Sequence, residues 1–215
     1  MRPNASRTGS YPCAVSPWIS TTVRCLASAC RVSLVRPTPP QISLIIMTNP
    51  ADELLDVVNA QDRVIGTASR GEVYRDRLTH RCVMILVRNA EGRYFVHRRA
   101  QDKLFAPGAY DIFVGGVVGA GESYAHAAVR EAEEELGVSG IRTEPLFRFL
   151  FEEQAYSWFC DVHQARWDGP VSPQVEEIDW HDWLTAEQIA ERLTAWDVVP
   201  DGREAYRRYL ELPRG

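Results

Sequence analysis

From residue 52 onward, apolar and polar residues fall into short blocks, each with the length of a strand or a short helix. Leu54 to Ile65 reads as a strand reaching a turn at Gly66. Residues 81 to 88 carry a continuous apolar run of strand length, from Cys82 to Val87. Asn89 to Gly92 is a turn, and Arg93 to Arg98 alternates as a second strand. Pro107 and Gly108 break the chain before a short strand at Tyr110 to Val114. Leu146 to Phe151 and Trp158 to His163 pair as an antiparallel hairpin, and Ile178 to Trp183 is a further strand. Thr185 with Gln188 has the form of a capping box and opens a helix to about Trp196. Asp201 with Glu204 repeats that signal for a last helix ending near Leu210. There is no internal repeat. Antiparallel strands with a few helices indicate an α+β fold.

One helix carries unusual charge. Ser123 is a suitable N-cap and Gly137 a suitable C′ residue for a helix between them. At about 100° per residue, Ala125, Val129, Ala132 and Leu136 fall on one stripe that would bury against a sheet. Four glutamates stand in the span 131 to 135, and Glu131, Glu134 and Glu135 share a face at i, i+3 and i+4. That face centres well over a quarter-turn from the apolar stripe, toward the preceding glycine-rich loop. Like charges packed this way repel, so stability alone does not select them. A hard divalent cation with oxygen ligands does. A solvated surface helix would account for an isolated glutamate run, but not for the placing of Gly116, Glu122, Arg130 and Gly137 around it.

Gly116, Glu122, Arg130, Glu131, Ala132, Glu134, Glu135, Gly137 and Val138 stand at the spacing of the Nudix box. Every polar and glycine position matches; only Ala132 stands where the family usually carries a bulkier aliphatic residue. The chain resembles that family, and the resemblance implies a Nudix fold, a mixed β-sheet sandwiched between α-helices. It implies a diphosphohydrolase that cleaves a nucleoside diphosphate linked to another moiety, or a related diphosphate, by water attack on phosphorus. The implied cofactor is Mg²⁺ or Mn²⁺, held by Glu131, Glu134 and Glu135, with the Gly116 carbonyl adding a ligand. The resemblance puts Glu135 first for positioning or deprotonating the water, with Glu134 and Arg130 beside it. Arg130 and Glu122 orient the glutamates. Upstream, Arg98, Arg99 and Lys103 are candidates for binding phosphate, because arginine grips its oxygens with a fork of donors. His80, just before the apolar run, reads as a polar strand-end residue.

The wider context of Leu78 to Arg81, His97 to Arg99 and Phe105 to Tyr110 is similar to the isopentenyl-diphosphate-isomerase-like branch, over roughly residues 52 to 190. True isomerases of that branch place a catalytic cysteine, a glycine and a metal-binding histidine where this chain has Gly115, Gly116 and Val117. They also lack the full set of Arg and Glu residues found here. The branch likeness thus implies ancestry, and the site implies a hydrolase. An isomerase and a non-catalytic Nudix binding module are the alternatives.

Charge and cysteines add limits. The formal net charge is −5, but residues 1 to 46 hold five arginines and no acid, which leaves −10 on the remainder. An acidic body argues against a nucleic-acid backbone as the main partner, while a small-molecule diphosphate is the partner that the resemblance implies. No stretch has the ~20 apolar residues of a membrane span. A homodimer is left open. Residues 1 to 46 are rich in Ser, Thr and Pro and lack apolar periodicity, so they read as a disordered extension before a domain at 47 to 215. That extension is either a tail upstream of a true start at Met47, giving a cytoplasmic protein, or an organellar transit peptide. Cys13, Cys25 and Cys30 lie in it, while Cys82 and Cys160 sit in strand-like runs as small buried residues. This scattered set forms no disulfide framework or zinc pattern. A chain starting at Met47 should keep the full-length melting temperature and activity; a clear loss of either would overturn this division.

Overall fold

The computed structural model describes residues 49–103, 105–154 and 156–213. The expectation for residues 1 to 46 therefore lies outside the described residues.

Two neighbouring strands, β1 (Leu54–Val58) and β2 (Val64–Ser69), form an antiparallel hairpin. The sequence reading of one strand from Leu54 to Ile65 is corrected here, and Gly66 lies inside β2. Asn59 breaks the run: its Oδ1 accepts from the N–H of Gln61 at 3.0 Å and of Arg63 at 3.1 Å, and Asp62 takes φ 57°. A helix not foreseen follows, α1 (Arg70–Asp76), opened by a capping box between Ser69 and Glu72.

The main sheet has seven strands among the described residues. β3 (His80–Arg88) is its centre. It pairs in parallel with β8 (Tyr156–Arg166), from His80 opposite Trp158 to Arg88 opposite Arg166. On its other side it pairs antiparallel with β6 (Val114–Val117) and touches β4 (Tyr94–Arg99) only at Arg88 and Tyr94. β4 diverges to pair with β5 (Tyr110–Asp111) and β9 (Ile178–Leu184). The expected hairpin is present: β7 (Thr143–Glu153) pairs with β8, with Phe151 opposite Trp158. The single strand expected at Tyr110 to Val114 is instead two, β5 and β6. Asp111 turns the chain between them, its Oδ1 accepting the N–H of Ile112 at 2.8 Å and of Phe113 at 3.1 Å.

Period-two alternation on β3 divides the core. Val83, Ile85 and Val87 join Ala127, Ala128, Ala132 and Leu136 of α2 (Tyr124–Leu136) on one face. Met84 and Leu86 join Ile189, Ala205 and Tyr206 on the other, from α3 (Ala186–Arg192) and α4 (Pro200–Leu210). A mixed sheet between helices, an α+β arrangement, results. α3 stops at Arg192 rather than near Trp196. α4 starts at Pro200, with Val199 as N-cap and no side-chain cap bond. Asp201 is thus not the cap that the sequence suggested; it lies inside the first turn, buried. Cys82 and Cys160 stand opposite each other on β3 and β8, as free thiols.

Leu86→Ala, at a fully buried site, should cost about 2–5 kcal/mol, while Val64→Ala on the exposed hairpin should stay within about 0.5 kcal/mol. Chemical denaturation of both variants checks the contrast.

Candidate active site

α2 begins where expected: Ser123 Oγ accepts the His126 N–H at 3.2 Å, and Gly137 closes the helix at φ 63°. Its buried face is turned from the one expected. Ala125 is exposed, and Glu135 is buried beside Leu136. Packing on β6 explains the rotation. Gly115 has φ 154°, and a Cβ there would stand 2.1 Å from the Val83 carbonyl oxygen. Gly116 has no side chain to separate it from Glu131; a Cβ would stand 2.6 Å from Glu131 Oε2. The glycines let the carboxylates of α2 reach the strand, and the Gly115 N–H donates to Glu135 Oε2 at 3.1 Å.

Arg130 ties this arrangement together. Its guanidinium donates to both oxygens of Glu122, at 3.0 and 2.8 Å, to Glu131 Oε1 at 2.6 Å and to the Val117 carbonyl at 3.2 Å. It also reaches Glu134 Oε2 at 3.3 Å, on a largely exposed side chain. Glu122 in turn accepts the Gly119 N–H at 3.1 Å. Burial pushes the Glu131 carboxyl up to about 7 despite Arg130, which pulls it down. Glu135 is raised further, first by burial and then by the charge of Glu131.

Of these residues, Arg130, Glu131, Glu134 and Glu135 line a cavity of about 830 Å³. Its walls also carry Gly116, Arg99 and Lys103. Lys103 is paired with Glu177, while Arg99 donates to the Phe105 carbonyl at 3.2 Å. Arg98 is a correction: it faces the other way, pairs with Asp179 at 2.7 Å and does not line the cavity. Alternation along β4 separates the two neighbours, with a bulge at Arg98 and Arg99. His80 is a strand-end residue but a buried one, and burial pushes its imidazole down to about 4. Sequence reasoning missed Tyr74, Asp111, Trp158, Glu177 and Asp201 as cavity residues. They come from five separate elements and loops, so no local spacing announces them.

The donor set suits a hard cation. Among the described residues, no group of three His, Cys, Asp or Glu side chains already converges as a metal cage. Yet Glu131 Oε2 and Glu135 Oε1 accept no hydrogen bond, although both carboxyls are deeply buried. Oxygens left without donors in this way match the needs of Mg²⁺ or Mn²⁺.

Comparison with known proteins identifies the family. The model of the NUDIX domain matches residues 78–209. An uncharacterised Nudix hydrolase of Streptomyces coelicolor is 54% identical over 164 residues, covering 75% of this chain and 91% of the relative. The uncharacterised Nudix hydrolase YfcD of Escherichia coli K12 is 35% identical over 159 residues, covering 74% and 87%. A crystal structure from Deinococcus radiodurans superposes with a TM-score of 0.62 at 32% identity, over 73% of this chain and 98% of that one. The chain belongs to the Nudix family and is a hydrolase acting on pyrophosphate bonds. Among the described residues, no helix is long and apolar enough to cross a membrane.

The Glu131 shift fixes a sign. The folded chain holds a proton there from the ordinary value of 4.5 up to about 7, where the unfolded chain has lost it. Stability of the metal-free protein should therefore fall as pH rises through that window. Glu131→Gln should flatten this part of the profile. Melting curves in chelator, from about pH 5 to about pH 8, check both.

Proposed function

We propose that this protein is a Mg²⁺- or Mn²⁺-dependent diphosphohydrolase acting on a nucleotide or a related small diphosphate. One observation carries the reading: Glu131 and Glu135 each turn a carboxylate oxygen, one that no protein donor takes, toward a cavity that Arg99 also lines. Glu131, Glu134, Glu135 and the Gly116 carbonyl would hold the cation. Bound there, it would neutralise phosphate charge and favour ionisation of an attacking water.

The chain's own groups supply the rest. Glu135 is anchored through Oε2 by the Gly115 N–H, which leaves Oε1 to take a proton from water. Glu134 stands beside it. Arg130 donates to both Glu131 and Glu122, so it ties the helix to the glycine loop. Arg99 and Lys103, which line the same cavity, would grip phosphate oxygens.

The alternatives are weaker. In an isomerase of the isopentenyl-diphosphate type, a cysteine would replace Gly115. At this backbone its Cβ would meet the Val83 carbonyl oxygen at 2.1 Å. Val117 offers no side-chain ligand. A binding module without catalysis would have no need of buried carboxylates that raise the cost of folding.

On a diphosphate substrate identified by a screen with Mg²⁺, Glu135→Gln should lower turnover by about 10²- to 10⁴-fold. Its melting temperature without cation should hold or rise, because a repelling charge is removed. Unchanged turnover would refute the role given to Glu135. Incubation with isopentenyl diphosphate and Mg²⁺ should give no dimethylallyl diphosphate; product at about 1 per second or faster would favour the isomerase.

A further inference from the structure

The same cavity is also lined by groups that the hydrolytic chemistry does not use. Asp111 and Asp201 stand there, with the rings of Trp158 and Phe105. Both acids are buried, Asp111 to 6% exposure and Asp201 to 8%. The first turn of α4 packs closely on Asp111, where a Cβ on Gly202 would stand 2.5 Å from its Oδ1, and the charge of Asp201 is felt at Asp111. Asp201 is satisfied, with Oδ2 accepting Trp158 Nε1–H at 3.1 Å and Oδ1 the Gly202 N–H at 3.1 Å. Asp111 is not. Its Oδ1 takes the two backbone donors of Ile112 and Phe113, and its Oδ2 has no partner.

Two adjoining buried carboxyls do not both ionise at neutral pH. Burial, then the charge of Asp201, pushes Asp111 up to about 7. Since Oδ1 accepts two N–H groups, a proton bound by Asp111 falls on Oδ2. The pair then offers one O–H donor from Asp111 beside the acceptor oxygens of Asp201. The Phe105 ring stands edge-on to Trp158, with centroids 5.4 Å apart, so the polar pair is walled by flat apolar surface. An apolar prenyl tail here would leave Asp111 Oδ2 unpaired at a dry surface, which is costly.

We propose that Asp111, Asp201, Trp158 and Phe105 form a recognition subsite for an aminated nucleobase, one whose edge pairs a ring-nitrogen acceptor with an exocyclic amino donor, as in cytosine and adenine. The inference rests on the diphosphohydrolase reading, with the anhydride at the glutamates and the base beyond Arg99. The charge of Arg99 acts on Glu135, Asp111 and Asp201 alike, consistent with a place between the two ends. Keto bases present an N–H and a carbonyl in the opposite order and mismatch both acids.

Nucleoside monophosphates test this without hydrolysis, because they hold no anhydride. Calorimetric titration of the full chain should show CMP and AMP binding about tenfold or more tighter than UMP and IMP, and tighter than dimethylallyl monophosphate. Asp111→Asn should keep that order, since its amide supplies a donor in place of the protonated Oδ2 and an oxygen for the two backbone N–H groups. Asp111→Ala should bring the four nucleotides to within about threefold of each other. Equal affinities in the unmodified chain, no binding, a preference for UMP and IMP, or loss of the order in Asp111→Asn would each overturn the proposal. Phosphate release from diphosphates is read separately, so failure of the hydrolase reading shows there and not in these titrations.

Discussion

The structure turns on two carboxylates buried against a glycine strand. Glu131 and Glu135 lie where α2 packs on β6, and nothing in the protein fully satisfies them. Burying carboxylates is unfavourable even with the partners they have, and the cost appears as raised proton affinity at both groups. The surrounding architecture holds them there regardless. Ala127, Ala128 and Ala132 keep the helix close to the sheet, and glycine at 115 and 116 removes the side chains that would push it away. Arg130 then locks the loop carrying Glu122 to the helix carrying the acids. A stable fold would not choose this arrangement for its own sake, whereas a cation site would.

That constraint also explains why the cavity has two characters. The end near α2 is acidic, with a free guanidinium edge nearby. The end near α4 is aromatic and carries a second pair of buried acids. The splayed β3 and β4, joined only at Arg88 and Tyr94, open the space between them. The Asp111 turn does double duty, since it bends the chain from β5 into β6 and leaves one oxygen facing the cavity.

Much of this was legible in the sequence because its signals are local. The box residues, the Ser123 and Gly137 caps, the Asn89 turn and the β7–β8 hairpin all rest on short-range spacing, and all appear in the structure. Four features were not legible, for different reasons. The Asn59 turn lies in a polar run, residues 59 to 63, between two apolar runs, and a reading of one long strand runs across that polar break. The face of α2 was misjudged because Ala and Glu differ in burial here through contact with glycines on another element, not through their own hydrophobicity. Asp201 looked like a cap because its spacing to Glu204 is right, but Pro200 already begins the helix and Trp158 claims the carboxyl. Arg98 and Arg99 are equal in sequence, and only the sheet decides which one faces the cavity.

The central claim is that the buried carboxylates of α2 await a divalent cation. Thermal melts of the full chain against increasing Mn²⁺ test it most directly. A ligand bound only by the folded state raises stability by about 2.7 kcal/mol at one hundred times its dissociation constant. The unmodified protein should show a saturable rise in melting temperature, and Glu131→Gln and Glu135→Gln should lose most of it. Equal shifts in all three proteins, or none in the unmodified chain, would contradict the claim.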